Sequence, residues 1–236
     1  MTETQDSGTK DSVREFFKKW PRFYYAIANI FGPVWFTGLS STEFLRMYAQ
    51  DGKKVNLGSG ARKLADDVTN IDGYAYEGVD LVADITDLPL ESDSVSMIVC
   101  DNVLEHVLEP AKAVSEMKRI LKEGGVAYIS TPFLYPFHSS PSDYHRWTAQ
   151  GLEHLFRDFK MTKIGVRSGM MSGLTVWACY AFARVLSFGS DKRHWFFVNV
   201  ALFIFFPIKL LDIFMNLFPG GMHTASVLYC VVEKRA

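Results

Sequence analysis

The chain has 236 residues, a formal net charge of −1 and 22% charged residues. That length allows one domain with an addition, or two small ones. The near-neutral balance leaves no global basic field of the kind that marks nucleic-acid binders, so no nucleic-acid partner is expected.

Residues 1–12 are polar and lack an apolar h-region, so no signal peptide is expected and the segment reads as a disordered tail. Residues 13–52 read as an N-terminal helical segment. In it Phe16, Phe17, Trp20, Phe23, Tyr24 and Tyr25 are interleaved with Arg14, Lys18, Lys19 and Arg22. Cations beside aromatics suit a membrane surface, and equally a helix packed across the main domain. Ser40 with Glu43 three residues later predicts a capping box, and the helix it starts should end near Asp51-Gly52.

The core, 53–167, alternates strands with helices. Strands are expected at Lys54–Leu57, Val68–Asp72, Leu81–Ala83 and Val95–Cys100, the last a nearly continuous apolar run suited to burial on both faces. Pro110–Lys122 should be a helix, with Ala111, Val114, Met117, Ile120 and Leu121 on one face, closed by Gly124-Gly125. Strand Val126–Ser130 follows, then a helix capped by Thr148 with Leu152, Leu155, Phe156 and Phe159 inward. Lys160–Val166 and, in the final segment 225–236, Ala225–Glu233 should be the last strands. Together these predict an α/β fold: a Rossmann-like, open, mostly parallel seven-stranded sheet with helices on both faces.

Lys53–Asp72 carries the first functional signal. An apolar strand runs into Gly58-Ser59-Gly60, and a second strand ends on the carboxylate of Asp72. Open α/β sheets hold nucleosides in this way, glycines admitting the ligand and an acid taking the ribose hydroxyls.

Several motifs then follow in order. Val55–Gly60, Asp72, Asp84-Ile85 ahead of Leu88-Pro89-Leu90, Asp101–His106 and Leu121–Gly125 together resemble class I S-adenosylmethionine-dependent methyltransferases, over roughly 53–166 plus the last strand. The resemblance, nearest to the type 11 members of a bacterial polysaccharide and cell-envelope branch, implies S-adenosylmethionine as cofactor. It implies contacts from Asn56, Gly58, Ser59, Gly60, Asp72, Asp84, Ile85, Asp101 and Asn102. Two departures stand out: Asn56 replaces a frequent acid, and Ala61-Arg62 replace a further glycine. The helix after the glycine loop must also be short. The absent third glycine and the close spacing to Asp72 count against a nicotinamide dehydrogenase.

The loop after the fifth strand is expected to cover the transferred methyl. His138 and His145 are candidate general bases, Asp143 a candidate to orient one of them, and Tyr144 and Arg146 candidate acceptor contacts. The structural alternative pairs Asp143 with Arg146 to pin the loop. His106 reads as a hydrogen-bonded structural histidine. No ligand spacing supports a metal, and Cys100, Cys179 and Cys230 are too dispersed for one. Their odd number also makes a poor disulfide framework, which suggests a reducing, cytoplasm-facing location.

Between the last two strands, 168–224 form an apolar helical insertion of about 55 residues, against about 2–5 for a hairpin loop. Its apolar runs are short or interrupted, and both flanking strands belong to one sheet. A monotopic or peripheral attachment to the cytoplasmic membrane face is therefore expected, rather than a span. A cap buried on the sheet or in a homodimer interface is the alternative. The expected activity is O-methylation of a glycan, lipid-linked or amphiphilic acceptor. The alternatives are a quinone or small-lipid methyltransferase and, from another class, a non-catalytic methyltransferase-fold binding module.

Overall fold

A computed structural model of the protein describes residues 31–138 and 141–235. The tail expected over 1–12 and the aromatic–basic stretch up to residue 30 lie outside these residues. Helix α1 (Ser41–Met47) starts at the expected capping box: the Ser40 hydroxyl accepts the Glu43 N–H, and the Glu43 carboxylate accepts the Ser40 N–H.

Seven strands follow: β1 (Lys53–Leu57), β2 (Val68–Asp72), β3 (Leu81–Val82), β4 (Val95–Asp101), β5 (Leu121–Pro132), β6 (Phe159–Ser168) and β7 (Val227–Lys234). They form one sheet in the order β3-β2-β1-β4-β5-β7-β6. β1 to β5 run parallel, and β7 is antiparallel to both β5 and β6. One face is covered by helices α2 (Pro110–Ile120) and α3 (Ala149–Leu155). Ala113, Met117, Ile120 and Leu152 are buried there against Val55, Ile98, Ile129 and Cys230. Phe44 of α1 closes the other face against Tyr128 and Val99. β4 lies between β1 and β5 with all but its last residue buried, which explains its unbroken apolar text.

Two expectations need correction. The glycine loop is followed by turns rather than a short helix, because only 58–67 separate β1 from β2 and the chain must return to start a parallel neighbour. Helix α2 ends at Ile120, and Leu121 already pairs with Val95. The register then jumps to Met97 beside Val126, so 122–125 bulge out of the strand, with Gly124 at φ +69°, instead of capping the helix.

The insertion forms helices α4 (Met170–Ser187), α5 (Asp191–Lys209) and α6 (Asp212–Met215). α4 and α5 pack along each other, with Phe182 edge-on to Phe197 and Phe205. The turn between them holds Phe188 and Gly189 at φ +46° and +80°. Asp212, fully buried, caps the start of α4: its carboxylate accepts the N–H groups of Met171 and Ser172 and the Ser172 hydroxyl.

Candidate active site

The carboxyl ends of β1, β2 and β4 open on a cleft of about 740 Å³, a size usual for small-molecule sites. The turn leaving β1 sets its floor. Gly58 sits at φ +64°, and a Cβ there would fall 2.5 Å from the Val103 methyls, so only glycine fits. Gly60 (φ +53°) faces space in which an added Cβ meets nothing within 4 Å. Asp72 ends β2 almost buried, and its carboxylate accepts the Gly60 N–H at 2.8 Å and the Tyr74 N–H at 3.0 Å. Asp84 Oδ1 accepts both the N–H and the hydroxyl of Thr86. Gly58, Gly60, Asp72, Asp84, Ile85 and Asn102 all line the cleft, the last at φ +57°.

Asn56, Ser59 and Asp101 do not line it. Asn56 is buried between strands and donates to Asn70 Oδ1 at 3.1 Å and to the Arg62 carbonyl. The amide that replaces the family's frequent acid thus ties the loop down from behind. Ser59 donates its N–H to the Ile71 carbonyl and its hydroxyl to the Gly60 carbonyl. Asp101 accepts from Ser130, Ser41 and Arg62, joining α1, β5 and the glycine loop behind the site. These three shape the cleft without facing it.

The loop after β5 crosses the cleft's far end, where Pro141, Ser142 and Tyr144 line it. Arg146, expected to hold an anionic acceptor group, has no donor left for one. Its Nε reaches the Tyr135 carbonyl, Nη1 reaches Asp143 and the His145 carbonyl, and Nη2 reaches Asp143 and the Pro136 carbonyl. The fork pins the loop, as the structural alternative anticipates, and holds the buried Asp143 carboxyl down to about 2. Asp143 also accepts the His138 N–H at 2.8 Å. His145 leans on Trp147, ring centroids 5.2 Å apart, and its Nε2 lies 3.4 Å from the Leu108 carbonyl, so it serves the loop.

One group here escaped the sequence. Glu105, in the turn 104–106 after β4, is fully buried, and neither carboxylate oxygen has a hydrogen-bond partner. Its Oε1 lies 3.7 Å from His138 Nε2 and 3.8 Å from His106 Nε2. The two imidazoles meet edge-on at 5.1 Å, and His106 lines the cleft. Glu105 holds the His138 imidazole above its ordinary pKa, aided by the Pro136 carbonyl and Asp143 and opposed by burial. An acid beside a histidine in the fourth motif was visible, but its burial depends on a loop that follows some 30 residues later.

A glycine turn on β1, an acid ending β2 and a cleft at the carboxyl edge of a β3-β2-β1-β4-β5-β7-β6 sheet define an open α/β nucleoside-binding fold of the methyltransferase type. Residues 37–129 match the family model described as a methyltransferase domain. Over those residues the chain is similar to a methyltransferase domain, the class that the ordered motifs resemble. Over 58 residues (24% of this chain, 23% of the relative) it is 41% identical to a Mycolicibacterium smegmatis protein described as "probable S-adenosylmethionine-dependent methyltransferase". Over 104 residues (41% of this chain, 39% of the relative) it is 35% identical to the demethylmenaquinone methyltransferase of Clavibacter sepedonicus. The matches thus span well under half of either relative. The [4+2]-cyclase SpnF superposes with a TM-score of 0.53 at 15% identity, covering 97% of this chain and 98% of that one, a likeness of fold alone.

The residues present fit the cofactor. The open space over Gly60 admits a ligand against the backbone, and each Asp72 oxygen keeps a lone pair beyond the N–H it already accepts. Asp84 Oδ2 takes neither of the Thr86 bonds and lies where the resemblance puts the adenine.

Proposed function

We propose that the protein transfers the methyl group of S-adenosylmethionine to a hydroxyl of a lipid-linked or amphiphilic acceptor at the cytoplasmic face of a membrane. The cofactor supplies an electrophilic methyl on a sulfonium centre. The chain's own residues bind and align: Asp72 takes the ribose, the glycine loop admits the methionine part, and the loop 133–148 closes the acceptor end. An acceptor oxygen entering past Tyr144 would meet His106, with His138 and Glu105 directly behind it. That end of the cleft is where an acceptor hydroxyl would give up its proton.

The single observation that carries the membrane part is the exposure of the insertion. Asp191–Met215 is long and apolar enough to cross a membrane by length and composition, yet only 22% of its most apolar stretch is buried. A core helix of a globular protein would be mostly covered. Phe196, Phe203, Phe214 and Phe218 stand in the open, as do Trp177 and Phe188. So large an exposed apolar surface marks an interaction site, and an aromatic-rich helical pair suits one leaflet. The insertion also touches the acceptor loop, since a Cβ at Gly173 would lie 3.2 Å from the Leu134 carbonyl oxygen. A lipid-borne acceptor would therefore arrive beside the loop that closes the cleft.

A second reading is favoured by the match to a demethylmenaquinone methyltransferase: a quinol-type lipid acceptor, entering by the same greasy side. Labelled S-adenosylmethionine incubated with glycolipid and with quinone extracts separates the two. Label in neither extract contradicts both. Flotation with phospholipid vesicles checks the membrane part, and recovery of the full chain in the salt-washed soluble fraction without detergent contradicts it. The homodimer alternative for the same surface predicts a concentration-dependent mass in detergent-free solution instead.

A further inference from the structure

Glu105 is the most expensive side chain in the site. A carboxylate taken out of water needs a partner for its charge and its lone pairs, and neither oxygen has a hydrogen bond. What faces it is a pair of imidazoles, with Nε2 atoms 3.8 and 3.7 Å from Oε1. The ligand atoms of Glu105, His106 and His138 all lie within 4.8 Å of one another.

Both imidazoles are turned so that Nε2 is the free nitrogen. His106 Nδ1 lies against the Ser142 carbonyl, and His138 Nδ1 lies 3.2 Å from the Pro136 carbonyl. A carbonyl can only accept, so in the neutral ring Nδ1 carries the hydrogen and Nε2 presents its lone pair toward Glu105. Arg146 Nη2 also lies 3.5 Å from His138 Nδ1, but its two hydrogens are taken by the Pro136 carbonyl and Asp143 at 2.9 and 2.7 Å. This is the outer hydrogen bond that metal-ligating histidines keep, fixing tautomer and ring direction.

We infer that Glu105, His106 and His138 bind a divalent transition-metal ion at the acceptor end of the cleft. Two imidazoles and one carboxylate suit zinc, manganese or iron, and suit magnesium poorly because it prefers oxygen ligands. Ligand atoms about 2.0–2.2 Å from a tetrahedral ion stand about 3.4 Å apart. The two separations from Glu105 need to contract by only a few tenths of an ångström, and the two imidazole nitrogens lie within 4.8 Å of each other. Three protein ligands leave a position open, and one of them, His106, lines the cleft. Its role rests on the methyl-transfer reading. An acceptor hydroxyl in the open position loses its proton to solvent more readily beside the cation. Its oxygen then forms the O–CH3 bond as the S–CH3 bond breaks, and S-adenosylhomocysteine leaves neutral.

The test uses chelator-treated full-length protein without cofactor, titrated with ZnCl2 and separately with MnCl2 by calorimetry, with metal content read after dialysis. One equivalent should bind at least one of the two ions and raise the thermal midpoint. Glu105→Gln, which keeps the shape, and His138→Ala should each weaken binding at least about tenfold and remove that rise. S-adenosylhomocysteine affinity of both variants should stay within about threefold of the parent. Absent stoichiometric binding of either ion, or unchanged affinity in Glu105→Gln, overturns the site. A proton on His138 would then be what balances Glu105, and Glu105→Gln should lower the pH at which that imidazole titrates by NMR. Metal binding without S-adenosylhomocysteine binding would instead remove the methyl-transfer reading and leave the metal site standing.

Discussion

The Gly60 N–H donates to Asp72 Oδ2 at 2.8 Å, so the glycine turn and the acid of the next strand are one mechanical unit. The bond fixes the carboxylate's direction, and each oxygen keeps a lone pair beyond the N–H it accepts, which under the proposed function takes the ribose. Asp72→Asn removes the charge at nearly constant shape. Hydrogen bonds to charged groups contribute about 1.5–3 kcal/mol, so S-adenosylhomocysteine should bind about 10–150-fold more weakly, with far-UV dichroism unchanged. An unaltered affinity would show that the ribose is held elsewhere.

Arg146 commits all its donors to the loop. Lysine is a point charge and cannot reproduce the fork. Arg146→Lys should therefore lower turnover at least about tenfold while S-adenosylhomocysteine affinity stays within twofold, because the cofactor end of the cleft is built from other residues. A parallel loss of cofactor affinity would place the loop's role in binding instead.

Asp212 of α6 ties that helix to the start of α4, inside the insertion, by three donors. Asp212→Ala strips these of their acceptor in a buried site and should cost about 2–4 kcal/mol. Gly169 already lies against this carboxylate, so a shortened side chain leaves a gap that the backbone cannot fill. Hydrogen exchange should accelerate across 170–187 and stay slow in β4 and β5. Uniform acceleration would mean that insertion and sheet open as one.

Acid should loosen the segment 88–90, which follows the cleft-lining Asp84, Ile85 and Thr86, through Glu116. Its carboxyl is held below its ordinary 4.5, first by Arg119 and then by the Leu88 N–H, against burial. Arg119 in turn ties the carbonyls of Leu88 and Leu90 to α2. Because the folded value is depressed, the stabilisation is fully present above about 4.5 and is lost as pH falls through the lowered folded value. The thermal midpoint of Glu116→Gln should be lower than the parent's at pH 7, and the gap should shrink as pH falls below 4.5. A constant gap would assign the loss to packing.

The sheet was legible because β1, β2 and β4 are short, apolar and bounded by turn residues, and the Ser40 capping box and Thr148 cap were legible because they are local. Their partners lie within three residues. The cleft-facing acids Asp72 and Asp84 were legible for a similar reason, since each sits at a strand tip. What failed depends on three-dimensional direction. Asn56 and Asp101 hold motif positions but point behind the loop, and a motif does not record which way a side chain turns at a strand end. Arg146 was ambiguous because five donors can serve a ligand or the protein equally well. Glu105 was missed because its burial is made by His138, which the fold carries back over β4 from the next strand's loop. The exposed face of the insertion was legible as greasiness, and its occupant was not, since the same apolar text serves a lipid leaflet or a second copy.

Every role assigned to the cleft depends on cofactor binding. Calorimetric titration of the full chain with S-adenosylmethionine and with S-adenosylhomocysteine, beside Asp72→Asn, tests it. One equivalent of each should bind the parent, and the variant should lose at least about tenfold in affinity. Folded parent protein that binds neither would contradict the methyltransferase reading and leave a fold-only binding module in its place.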